Sequence, residues 1–258
     1  MRKSGSTGQK NNKGYIKFDW LPVSIIFLLV VFWQVFGDIG NMPSYILPTP
    51  VMVIEALYQN RVLLLSHTLV TTGEALIGFG LAVLLGIASG ILMGYYQRVR
   101  RALYPLFVIT QTIPIIVLTP LFAIWFGFGL LPKVLIVILV CFFPIAVTFT
   151  QGLIEADENM DALLQVMGAS RWQAFFIARI PQALPDLFSG LKIAATYSIM
   201  GAVISEWVGA QKGLGIYMTR AMTSFKTSVL FADVLMIVLL SLGLYKLIEM
   251  FERHWQLK

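Results

Sequence analysis

The sequence has 258 residues, of which 58% are hydrophobic and only 12% charged, with a net charge of +6. A water-soluble domain carries roughly 25% charged residues, so too few charges are present to cover a water-facing surface, and the chain reads as an all-α membrane protein. The positive balance does not point to nucleic acid, because most basic residues sit in short segments between apolar runs and form no patch on a soluble surface. One cysteine (Cys141) and two histidines (His67 and His254) allow no internal disulfide and leave a metal centre almost no ligands.

Residues 1–19 are rich in Gly, Ser, Asn and Lys and read as a disordered basic tail. The apolar run 20–37 ends without a small-x-small cleavage pattern, so it is expected to be a retained first span and not a removed leader. Residues 38–65 form a long connection in which Thr49 and Pro50 have the pattern of an N-cap and first helical position, predicting a short interfacial helix.

The second run, 66–95, carries small residues at every fourth position: Gly78, Ala82, Gly86, Gly90 and Gly94. Such a stripe lets another helix approach closely, and packing within the subunit is its expected role. The third run, 102–126, contains Pro105, Pro114 and Pro120, with Thr110, Gln111 and Thr112 beside the middle proline. Proline frees carbonyls that need neighbours or a water-lined cavity, so a kinked helix lining a pathway is expected. Tyr197 and Ser198, in the fifth run, join Thr110, Gln111, Thr112 and Pro114 as candidate pathway residues. The remaining runs lie at 131–151, 186–208 and 229–250, giving about six spans of the length a bilayer requires. Glu74 and Glu206 are the acidic residues nearest the membrane interior. Glu206 adjoins Trp207, which places it at the outer interface.

With the N-terminus inside, 14 of the 19 basic residues fall in cytoplasmic segments; Arg61, Lys133, Lys212, Arg220 and Lys226 are the five outside. This bias places both termini in the cytoplasm.

Between the fourth and fifth runs, residues 152–182 form a cytoplasmic loop with its own design. Asp157 is a predicted N-cap, with Glu158 and Asp161 favourable in the first turn. Met160, Leu163, Leu164 and Met167 then give one apolar face. Gly168 has the place of a left-handed helix end. Ser170 and Gln173 predict a capping box for a second short helix presenting Trp172, Phe175 and Phe176, with Pro181 expected to stop it. An apolar face on a helix too short to span suits docking into a groove on another protein. Its polar side carries Glu158, Asp161 and Gln165 and lacks the basic residues of a lipid-surface helix.

The stretch DALLQVMGASRWQAFFIARIPQALP resembles the coupling loop of binding-protein-dependent ABC importer permeases, with Gly168, Pro181 and Pro185 at the matching places. YILPTP at Tyr45–Pro50, WFGFGLLPK at Trp125–Lys133 and the run Gly190–Gly215 resemble the branch that handles nitrate, sulfonates, taurine and thiamine-precursor pyrimidines. The resemblance covers about residues 20–256. The family's Glu-Ala-Ala triplet is replaced by Ala162, Leu163 and Leu164.

The resemblance implies a type I ABC importer permease fold, residues 20–258 as one transmembrane domain, and residence in a bacterial inner membrane. It implies a second copy of the permease, a cytoplasmic ATPase dimer and an extracytoplasmic binding protein as partners, with lipid around them. Glu158, Asp161, Leu164, Gln165, Met167, Gly168, Ala169, Ser170 and Trp172 would then carry the coupling to the ATPase. The chain has no phosphate-binding G-x-x-x-x-G-K-[ST] loop, so ATP hydrolysis is expected in a separate subunit, and no catalytic residue, cofactor or metal is expected here. The expected substrate is a hydroxymethylpyrimidine-type precursor, with nitrate, taurine and aliphatic sulfonates as alternatives. An ATP-independent secondary transporter is the rival class; it leaves the loop unexplained.

Overall fold

The computed structural model describes residues 20–40 and 43–256, so the expected basic tail lies outside the described residues. The described residues form helices α1 (Trp20–Ile39), α2 (Pro50–Gln59), α3 (Arg61–Tyr95), α4 (Gln97–Gln111), α5 (Ile115–Phe126), α6 (Leu130–Glu155), α7 (Glu158–Val166), α8 (Arg171–Ala174), α9 (Ile180–Glu206), α10 (Leu214–Thr223) and α11 (Thr227–Gln256). A π-turn, Phe175–Arg179, joins α8 to α9. Five helices, or six counting α4–α5 as one bent pair, are long and apolar enough to cross a membrane.

The core is α3, α6 and α9, and glycines set its spacing. A Cβ at Gly78 would press on Val137, at Gly86 on Ile145, at Gly90 on Phe149 and at Gly94 on Leu153, all within 3 Å. The small-residue stripe of α3 is therefore the seat of α6. In a bilayer lipid tails are as apolar as leucine, so association rests on dispersion contacts and close fit, and a flat stripe against large side chains supplies both. Phe149, Ile145 and Leu153 are fully buried in that seam.

These pairs rise together in number along both helices, so α3 and α6 run parallel. The connection between them must return across the bundle, which makes α4–α5 a crossing segment. It crosses broken: α4 and α5 meet at 98°. The expectation of one kinked helix over 102–126 is corrected to two helices. Pro114 removes a backbone donor, and the hydroxyls of Thr110 and Thr112 donate back to the carbonyls of Phe107 (2.7 Å) and Ile109 (2.8 Å). These side-chain bonds compete with the helix ladder where proline already weakens it.

α9 runs antiparallel to α6, with Gly190 against the Pro144 carbonyl and Thr148, and Cys141 donating to the Ala194 carbonyl at 3.2 Å. α11 runs back along α9, tied near one end by Lys192–Glu252 (2.8 Å). α2 starts as expected, with Thr49 Oγ1 accepting from the Met52 amide, and it packs on the start of α11. Below, the end of the bundle carrying α7 is the inner end and the end carrying α2 and α10 the outer end.

Candidate functional site

At the inner end, α7 is built from local bonds. The Asp157 carboxylate accepts from the Asn159 amide at 2.8 Å and caps the helix start. The Asp157 N–H donates to Gln182 Oε1 at 2.8 Å, anchoring that start to α9. At the other end the Ala169 amide donates to the Leu164 carbonyl (2.9 Å) and the Gly168 amide to the Gln165 carbonyl (3.0 Å). That double bond pattern closes a helix through a left-handed residue, and Gly168 has φ +93°. Ser170 and Gln173 then cap each other reciprocally and start α8.

Asp161 faces inward, buried and paired with Arg179 of the π-turn. Met160, Leu163, Val166 and Met167 face outward, Val166 at 86% and Met167 at 75% exposure. Leu164 is half-buried, so Val166 takes its place in the exposed apolar set; Gln165 is exposed. The helix thus turns Asp161 toward its own chain and its apolar side away, the reverse of a self-sufficient surface helix.

Behind it, the ring of Tyr95, the last residue of α3, meets Trp172 edge-on at 4.6 Å and Phe175 at 5.2 Å. Phe175 is buried in this cluster, not presented as expected, while Trp172 and Phe176 remain exposed. Pro181 does not stop the second helix: Arg171–Glu206 is one continuous rod. The π-turn accounts for this, since the Ile180 amide bonds to the Phe175 carbonyl and the ladder is already shifted where proline brings no N–H.

At the α4–α5 break, Thr110, Gln111, Thr112 and Pro114 come together around an open-sided cavity of about 180 Å³ also lined by Ile113, Ile115, Leu139 and Val140. Tyr197 lies on an exposed side of α9. Ser198 beside it is fully buried and donates to the Ala195 carbonyl, so it does not join that group.

The outer end holds a cluster that sequence reasoning missed. The first amides of α10 are bonded by side chains from other helices. His67 Nδ1 accepts from Gly213 (2.9 Å), Thr71 Oγ1 from Leu214 (2.8 Å) and Glu206 Oε2 from Gly215 (2.6 Å). Thr71 in turn donates to Glu206 Oε1 at 2.6 Å, and the His67 ring stacks on Tyr217 at 4.9 Å. Helix starts leave amides unpaired, and a carboxylate there also complements the helix dipole. Gly213, at φ +129°, has no room for a Cβ because the Glu206 carboxylate occupies that space. Glu206 is therefore fully buried and not interfacial, and Glu74 pairs with Lys133 at 2.5 Å. The visible signal was His67 and Thr71 four apart on α3, with the Gly-Leu-Gly that opens α10.

Residues 82–256 match the family described as binding-protein-dependent transport system inner membrane component. The chain is 36% identical over 222 residues to the formylaminopyrimidine transport permease of Halalkalibacterium halodurans, covering 86% of this chain and 88% of that one. It is 34% identical to the riboflavin transport system permease of Chloroflexus aurantiacus, covering 92% and 90%. To the taurine transport system permease of Escherichia coli it is 29% identical, covering 87% and 86%. A solved amino acid ABC transporter with histidines shares the fold, with TM-score 0.61 at 18% identity over 77% of this chain and 96% of that one. The chain belongs to the binding-protein-dependent transport system inner membrane components: it is a permease subunit of an ATP-binding-cassette importer in a bacterial inner membrane, with ATP hydrolysis in a separate subunit.

Proposed function

We propose that this permease imports a single-ring pyrimidine of the thiamine-precursor type, as one of two identical copies, and that α7 is its contact with the ATPase. The observation that carries the coupling role is the outward apolar side of α7, with Met160, Leu163, Val166 and Met167 exposed on a helix held by caps at both ends. Such a face fits a groove on a partner. In this reading the inner end is cytoplasmic, as the basic-residue bias requires. Asp161, Leu164, Gln165, Gly168, Ala169, Ser170 and Trp172 shape and brace the contact; the side chain of Glu158, the remaining candidate, lies outside the described residues. Closure of the ATPase pair would move α7 and switch the pathway as a rigid-body transition. Thr110, Gln111, Thr112, Pro114 and Tyr197 line that pathway, with Ser198 packed behind Tyr197.

The pyrimidine assignment draws on the relatives. A permease named for formylaminopyrimidine is 36% identical and one named for riboflavin 34%, whereas the taurine permease stands at 29%. Nitrogen heterocycles therefore stand ahead of the sulfonates.

The coupling role is tested by replacing Gly168 with valine, because a β-branched residue is disfavoured at a left-handed position. The ATPase is expected to be lost on copurification while the permease still inserts. Retained association and uptake would remove α7 as the contact. Uptake by the assembled transporter is expected for formylaminopyrimidine and not for taurine, nitrate or riboflavin; the reverse pattern overturns the substrate assignment.

A further inference from the structure

We infer that the α4–α5 break is a discrete binding stop for the transported ring, with the Gln111 side-chain amide as its reading group and an uncharged, single-ring heteroaromatic bearing an amino group as its ligand. This rests on the reading that the break lines the pathway.

Depth comes first. Arg98, Arg100 and Arg101 mark the inner interface at the start of α4. Leu139 and Val140, which line the same cavity, stand near the middle of α6 (Leu130–Glu155), so Gln111 lies near mid-span. Gln111 is exposed there and has no hydrogen-bond partner among the described residues. An unpaired amide in hydrocarbon costs about 4–8 kcal/mol, so the side chain faces water or a polar ligand and not lipid.

The chemistry around it is uncharged. The hydroxyls of Thr110 and Thr112 already donate to the Phe107 and Ile109 carbonyls, so they offer only lone pairs to a ligand. The Thr110 carbonyl would accept from residue 114 in an unbroken helix, but Pro114 has no N–H to give. The cavity thus presents several acceptors and one amide that can both donate and accept, and none of its eight lining residues is charged. A sulfonate or nitrate offers only acceptors and a negative charge, and it would meet lone pairs. An aminopyrimidine offers an amino donor beside a ring-nitrogen acceptor, the complement of the carbonyl and the Gln111 amide.

Size agrees. A cavity of about 150 Å³ holds one benzene ring, and this one is about 180 Å³. A substituted six-membered ring fits it. The wall is braced from behind by Phe107 against Phe142 of α6, ring centroids 4.8 Å apart.

The test is a Gln111→Cys variant in membranes carrying the full transporter, labelled with a water-soluble maleimide. Cys141, the only native cysteine, is fully buried. The expected result is labelling that formylaminopyrimidine slows several-fold and taurine does not. A Gln111→Leu variant is expected to lower formylaminopyrimidine uptake by about tenfold, the loss of one good hydrogen bond, with Gln111→Asn recovering part of it. Labelling that neither compound slows, with uptake unchanged in Gln111→Leu, overturns the binding stop while leaving the pathway in place. An absence of labelling removes the break from the pathway and the binding stop with it.

Discussion

The two ends of the bundle are organised on opposite principles. The inner element is local: among the described residues the hydrogen bonds that shape α7 and its caps join residues at most five apart, and the Asp157–Gln182 and Asp161–Arg179 links tie it to α9 and the π-turn. The outer clamp is non-local: Glu206 meets Thr71 across 135 residues and Gly213 meets His67 across 146. The inner end is shaped in advance, and its outward apolar side is not covered by other described residues of this chain. The outer end satisfies itself and holds α3, α9 and α10 together. α7 can therefore be altered with little loss of stability, whereas the clamp cannot.

That contrast can be broken most forcefully at Glu206. Glu206→Ala leaves the Gly215 amide buried without an acceptor and the Thr71 hydroxyl with only the His67 carbonyl at 3.3 Å, a loss of about 3 kcal/mol. Thermal unfolding of the purified transporter should show a clearly lowered Tm, with Glu206→Gln recovering about half. Gly213→Ala should come next, at about 2 kcal/mol, because it combines a positive φ with overlap on the Glu206 carboxylate. A single cooperative transition shifted downward is the expected trace. At the inner end, Gly168→Ala places a Cβ at φ +93° with open space around it, about 1 kcal/mol of local strain. There the permease Tm should hardly move while ATPase retention on a tagged column falls. The smallest effect is expected for Ser170→Ala, about 1 kcal/mol or less, confined to the start of α8. Hydrogen exchange should report it as faster exchange at Gln173 alone, and a global Tm shift of the size seen at Glu206 would erase the distinction between the ends.

The same contrast decides what could be read from the amino-acid order. Asp157, Gly168, Ser170–Gln173 and Thr49–Pro50 all announce caps whose partners lie within a few residues, and each cap forms as expected. The glycine stripe announces close approach, but only the packed bundle names its guests as Val137, Ile145, Phe149 and Leu153. Two prolines misled in opposite directions. Pro114 breaks the helix outright because two threonine hydroxyls pull on neighbouring carbonyls. Pro181 interrupts nothing because the π-turn before it has already shifted the ladder. Both outcomes depend on bonds that a proline alone does not specify. The clamp was out of reach because a buried Glu beside a Trp has the pattern of an interfacial residue until α10 is folded against it.

The uninterrupted rod from Arg171 to Glu206 has a mechanical consequence. Its 36 residues extend about 54 Å, with the ring cluster of Tyr95, Trp172 and Phe175 at one tip and the clamp at the other. On a lever of that length a tilt of one degree about one tip displaces the other by about 1 Å, by the rise per residue alone. Under the proposed coupling, a push on the inner tip reaches Glu206 through this one helix and its π-turn. The two ends, so different in construction, are the two handles of one shaft.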